Sequence, residues 1–113
     1  MSEINLHLEA LLESIEKIKL YSKDFLNADE FYHEPKSFDA TMMQFILIGE
    51  VISRIDIDFK NKYNHIPWQK IKDFRNIIAH DYFGIDADEI WDILQNKLLP
   101  LQKDIENLKK ELS

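Results

Sequence analysis

The sequence predicts an all-α fold, a four- to five-helix up-and-down bundle in which residues 1–113 form a single domain. Three observations carry this expectation. Only two glycines and three prolines punctuate 113 residues, too few turn signals for a β-sandwich or barrel. Apolar residues recur at three- and four-residue spacing over long stretches, the period of an amphipathic helix. With 45% apolar residues, a chain of this length can bury roughly two-thirds of its unfolded surface in one core.

The first helix is expected over 3–27, with Leu8, Leu11, Leu12, Ile15, Ile18 and Phe25 as its stripe and Glu9, Glu13, Glu16 and Lys17 on the other side. Residues 27–37 are polar and contain Pro35, so they read as a linker. Ser37 or Asp39 can cap a second helix expected over 38–63, whose stripe runs from Phe38 through Met42, Phe45, Ile48 and Ile52 to Phe59. Gly49 inside that helix costs ~1 kcal/mol relative to alanine and therefore marks a close helix crossing. Glu50 and Arg54 have i,i+4 spacing and read as a surface pair.

Pro67 fits the first turn of a third helix that continues to residue 79 and turns Trp68, Ile71, Phe74 and Ile78 inward. Its opposite face is Gln69, Lys72, Asp73, Asn76 and His80. Asp86 and Glu89 match a capping box, which opens a last helix with Ile90, Leu94, Leu98, Leu101, Ile105 and Leu108 as its stripe. Pro100 should kink this helix or divide it.

Composition removes several kinds of chemistry. The absence of cysteine excludes disulfides, thiolate metal sites and cysteine nucleophiles. No run approaches ~18 apolar residues, and the N-terminus carries no signal-like pattern, so a cytoplasmic protein without membrane partners is expected. His7, His33, His65 and His80 are scattered without metal-ligand spacing, so neither a metal nor another cofactor is expected. There is no glycine-rich phosphate loop and no nucleophile elbow. The net charge of −7 argues against non-specific nucleic-acid binding. Residues 60–75, however, hold five cations (Lys60, Lys62, Lys70, Lys72, Arg75) against the one acid Asp73, a local +4 that leaves −11 for the rest.

That basic segment runs into Arg75-Asn76-Ile77-Ile78-Ala79-His80-Asp81-Tyr82. On a helix, Asn76 and His80 are i,i+4 and share a face, with Arg75 one step round. A helix C-terminus and the neighbouring Asp81 both favour a protonated His80. Arginine can grip a phosphate in a fork and histidine can move a proton near neutral pH, so the pair suits work on a phosphodiester. The bland reading of the same residues is a histidine at a helix end, a solvated arginine and a half-buried tyrosine packing the loop before Gly84.

The pattern Arg-x4-His-x-Tyr, formed by Arg75, His80 and Tyr82 with Asn76 directly after the arginine, resembles the signature of the HepT-like toxins of the HEPN superfamily. Ile48-Gly49-Glu50, Ile66-Pro67-Trp68, Phe74-Arg75-Asn76 and Leu98-Leu99-Pro100 resemble that family too, so the likeness covers nearly the whole chain. It implies a metal-independent endoribonuclease, the toxin of a type II toxin–antitoxin pair, with Arg75 and His80 catalytic and with Asn76 and Lys72 supporting the RNA phosphate. It implies further a homodimer in which two motifs form one composite cleft, and an MNT-type nucleotidyltransferase antitoxin that adenylylates Tyr82. A dimer also answers a physical difficulty, since one Arg and one His on a convex helix face are too few groups to enclose a phosphate. The alternative is a non-catalytic helical subunit that helps a small nucleotidyltransferase bind nucleotide or substrate, to which the acidic balance is better suited.

Overall fold

The computed structural model describes residues 2–113, and no strand occurs among them. Four long helical stretches build the bundle: α1 (Glu3–Ser22), α3 (Pro35–Arg54), α5 (Trp68–His80) and a last stretch made of α6 (Ala87–Asp92), a π turn (Ile93–Lys97) and α7 (Leu98–Leu112). Two short helices, α2 (Ala28–Tyr32) and α4 (Ile57–Lys62), are set into the connections. α1 packs against α3 and α7, and α3 against α5, so the long helices run α5–α3–α1–α7 around the core. Leu8, Leu11, Ile15, Ile18, Met42, Ile48, Ile52, Ile78 and Ile105 form its centre, all essentially removed from water. On the outside of the α1–α7 seam, Lys19 Nζ donates to Gln102 Oε1 at 3.2 Å and Lys109 Nζ to Glu9 Oε1 at 2.8 Å.

Several expected boundaries move, each for a local reason. The first helix stops at Ser22 rather than 27, because Asn27 turns extended and its side chain accepts from the Glu30 N–H at 2.8 Å. An Asn side chain that satisfies orphan N–H groups starts a new helix more readily than it extends an old one. The supposed linker therefore contains α2, and its Phe31 lies at the centre of an aromatic cluster, 5.3 Å from Phe25 and 5.4 Å from Phe38 between ring centres. Neither Ser37 nor Asp39 caps α3. Glu34 does so, accepting from the Ser37 N–H at 2.7 Å, with Pro35 as the first helical residue.

The expected helix over 38–63 is divided. Ile55 is extended and buried, and Asp56 caps α4 by accepting from the Asp58 N–H at 3.2 Å. Pro67 stands one residue before α5 instead of inside its first turn. Asp86 opens α6 as its spacing suggested, accepting from the N–H groups of Asp88 and Glu89 at 2.9 and 3.4 Å. The break expected near Pro100 takes the form of the π turn, which ends three residues before the proline. A proline ring crowds the carbonyl four residues back; here that carbonyl belongs to Asn96, inside the wider turn.

Candidate active site

The site begins at the crossing of α3 and α5, where Gly49 is buried against Arg75. A Cβ on Gly49 would sit 2.4 Å from Arg75 Cβ and 2.5 Å from Cγ, so the arginine stem occupies the space of the missing side chain. This is the close crossing that a glycine within a helix implies. It directs the guanidinium along α3 to Glu50, one residue on, whose carboxylate accepts from Nη2. Glu50 is thus not the i,i+4 partner of Arg54; its partner is Arg75, 25 residues away.

Arg75 Nη1 donates to Asn76 Oδ1 at 3.0 Å. Arginine has no acceptor, so this bond fixes the amide with its oxygen toward the guanidinium and its NH2 free to meet an anion. Arg75 Nε is buried without a hydrogen-bond partner. The side chain as a whole is 28% exposed, beside a Glu50 side chain that is 42% exposed. The result is a cation held in a fixed pose by a stem contact, a carboxylate and an amide, with part of its donor edge still open.

His80 is the last residue of α5 and is exposed. The Asp81 N–H closes the helix on the Ile77 carbonyl at 2.9 Å, and a 3-10 turn follows over Tyr82–Gly84. In that turn the Gly84 N–H donates to the Asp81 carbonyl at 3.1 Å, and the Asp81 carboxylate lies where a Cβ on Gly84 would be. Tyr82 is half-buried, its ring edge-on to Phe38 at 6.2 Å, and its hydroxyl donates to the carboxylate of Asp39 on α3. Burial first, then this hydrogen bond and the negative charge of Asp39, push the Tyr82 hydroxyl far above the usual tyrosine range. At neutral pH it is a protonated, positioned hydroxyl.

The structure therefore joins Arg75 to Asn76 and anchors Tyr82 separately. Among the described residues no hydrogen bond links His80 to any of the three. Arg75 and His80 are five positions apart on one helix, which puts them about 140° apart around its axis at 3.6 residues per turn. Lys72, one turn before Asn76, is partly exposed on the same face. Two sizeable cavities, about 420 and 470 Å3, are lined by neither Arg75, Asn76, His80 nor Tyr82; Lys72 alone of the site residues reaches one of them, the 470 Å3 cavity. Among the described residues no three of His, Cys, Asp and Glu gather closely enough to hold a metal ion. Glu50 and Asp39 are the site residues that sequence reasoning assigned elsewhere, since their contacts with Arg75 and Tyr82 span 25 and 43 positions and leave no local spacing to find.

With this geometry in view, comparison with known proteins is decisive. The model of the family described as "Ribonuclease HepT-like" matches residues 11–108. The chain belongs to the HepT-like ribonuclease family. Over 110 residues it is 34% identical to a Methanocaldococcus jannaschii protein named as a gamma-glutamylcyclotransferase and, provisionally, an RNase; the match covers 97% of this chain but only 49% of that relative. A second M. jannaschii protein, provisionally named an RNase, is 33% identical, with 97% of this chain and 90% of the relative aligned. "Probable ribonuclease HepT" of Thermococcus cleftensis is 30% identical over 92% of this chain and 94% of its own length. No solved structure matches the chain significantly. Among the described residues of this HepT-like chain, no helix is long and apolar enough to cross a membrane.

Proposed function

We propose that this HepT-like chain, acting as one domain over 1–113, is a metal-independent endoribonuclease and the toxin half of a type II toxin–antitoxin pair. The observation that carries the reading is the pose of Arg75: the side chain is fixed by Gly49, Glu50 and Asn76, while His80 is left open to solvent at the end of the same helix. A fixed cation and an unengaged histidine are the two groups that transfer at a phosphodiester needs. Because these groups stand on a convex surface, the site is proposed to close by homodimerisation, which brings two motifs face to face.

In the proposed reaction one His80 takes the proton of an RNA 2′-hydroxyl as its oxygen attacks the adjacent phosphorus. The bond from phosphorus to the 5′-oxygen breaks, and the second His80 supplies the proton that the leaving oxygen gains. Arg75 offsets the charge that builds on the phosphoryl oxygens, the NH2 of Asn76 donates a hydrogen bond to them, and Lys72 holds a neighbouring phosphate. The partner nucleotidyltransferase is proposed to silence the toxin by transferring AMP from ATP to Tyr82 Oη: the new bond joins Oη to the α-phosphorus, pyrophosphate leaves, and the hydroxyl proton passes to the Asp39 carboxylate that already accepts its hydrogen bond. An anionic adduct next to the motif would repel RNA.

The test is incubation of the purified protein with RNA in EDTA, wild type beside Arg75→Ala and His80→Ala. Cleavage by the wild type alone is expected; equal cleavage by all three would remove the motif from the mechanism. Intact-mass measurement after co-expression with the neighbouring nucleotidyltransferase should find an AMP-sized increment on the wild type and none on Tyr82→Phe. The second reading, a non-catalytic subunit of that transferase, is favoured by one observation: Glu50 already neutralises Arg75. It requires that no variant or wild type cut RNA.

A further inference from the structure

The larger of the two cavities lies between α4 and the start of α5, well away from Tyr82. Its volume is about 470 Å3. In a chain of net charge −7, its wall is basic and carries no acid: Lys60, His65, Lys70 and Lys72 supply the nitrogen cations and imidazole, and Asn61 and Asn64 add amides. Lys60 is pre-positioned, because its Nζ donates to the Ile52 carbonyl at the end of α3 at 3.2 Å, and two of its three donors stay free. Gln69, also on the wall, donates to Asp73 at 2.8 Å, and that carboxylate lies outside this cavity.

The cavity is continuous with the motif along one face of α5. Gln69, Lys72, Asn76 and His80 follow one another at spacings of three, four and four residues, a single stripe on the helix. At 1.5 Å per residue the stripe is about 16 Å long, the reach of several nucleotides of a single strand. An exposed imidazole, free amides and lysines around a groove are the parts with which proteins hold unpaired RNA: a ring to stack on a base, amides for its edge, cations for the phosphates.

We propose that this groove binds the single-stranded RNA that flanks the scissile phosphate, with His65 stacking on a base and Lys60, Lys70 and Lys72 contacting the backbone. The inference rests on the ribonuclease reading and extends it. It makes recognition a property of the surface of α4 and α5 within each protomer, adjoining the composite cleft at Lys72.

The test measures binding of a labelled single-stranded RNA oligonucleotide to full-length protein in a His80→Ala background, so that the ligand stays intact. Adding His65→Ala and Lys70→Gln, both exposed positions, should weaken binding about tenfold or more and lower the slope of log affinity against log salt by about 0.7 for the lost phosphate contact. Lys103→Gln on α7, added instead, should change neither. If the His65/Lys70 variant binds as its parent does while the wild type still cleaves RNA, the groove is overturned and the ribonuclease stands. Equal losses from Lys103→Gln reduce the effect to net charge and also overturn it. A wild type that neither binds nor cleaves RNA overturns both proposals.

Discussion

Arg75 fills the space where Gly49 has no side chain: a Cβ there would meet Arg75 Cβ at 2.4 Å. The obstructing atom is bound to the α5 backbone and cannot swing aside. Gly49→Ala must therefore push α3 and α5 apart, and overpacking of this kind costs ~1–3 kcal/mol. For a domain of this size that is a fall in Tm on the order of 5–15 °C, read by circular dichroism. An unchanged Tm would show that the crossing is not close.

Gly84→Ala should behave in the opposite way. There the atoms in the path are the carboxylate of Asp81, the far end of an exposed side chain in a 3-10 turn. It can rotate into solvent, so stability should change by less than ~0.5 kcal/mol. A loss as large as that of Gly49→Ala would mean that the Asp81 carboxylate is held where it is by something that matters.

Glu50 decides where the Arg75 guanidinium points. Glu50→Ala should leave the helical spectrum intact while lowering RNA cleavage ~10- to 100-fold, the range a misplaced catalytic group produces. Glu50→Gln, which keeps an acceptor but no charge, should fall between. Faster cleavage by Glu50→Ala would mean that the carboxylate competes with phosphate for the arginine instead of orienting it.

Arg75→Lys should not rescue function. A lysine offers one compact charge and cannot reach Glu50 and Asn76 together while still presenting a donor edge. Cleavage close to that of Arg75→Ala is expected, and near-wild-type turnover would reduce the role of the residue to bulk charge.

Tyr82 gives a prediction about alkaline stability. Its folded-state pKa is raised above the ordinary value of about 10, first by burial and then by Asp39. Above that pH the unfolded chain loses the proton while the folded chain keeps it, so this stabilisation is present at neutral pH and is lost as pH climbs toward the raised value. Denaturant titrations should show the wild type losing stability faster than Tyr82→Phe as pH rises above about 10. Asp39→Asn should lower the Tyr82 midpoint without returning it to normal, since burial remains. Parallel pH profiles for wild type and Tyr82→Phe would contradict the buried, bonded hydroxyl.

How far the sequence reached can be judged residue by residue. The stripes of α1, α3, α5 and the last helix were legible because Leu11, Ile15, Met42, Ile52, Ile78 and Ile105 repeat at helical spacing and all are buried. Phe31 was not legible: with Tyr32 beside it, it sits in a short, otherwise polar stretch with no helical stripe, and its five-residue helix opens on the Asn27 cap. Likewise Asp56 reads as one more polar position of a long helix until its carboxylate is seen holding the Asp58 N–H. At the site, Arg75, Asn76, His80 and Tyr82 stood out by type and spacing. Glu50 had a plausible local partner in Arg54, and periodicity carries no term for a contact made across two helices.

The π turn at Ile93–Lys97 has a consequence for how this chain can vary in length. In a regular α-helix Ile90 and Leu98, eight residues apart, would be about 80° out of phase, yet both are buried in the same core. The wider turn absorbs that angle, as one inserted residue does. Removing a single residue from it, such as the exposed Asn96, would leave the two anchors seven residues apart, about 20° from two full turns. The last helix is thus a regular helix carrying one surplus residue, and a deletion here shortens the chain while its apolar seam stays in phase.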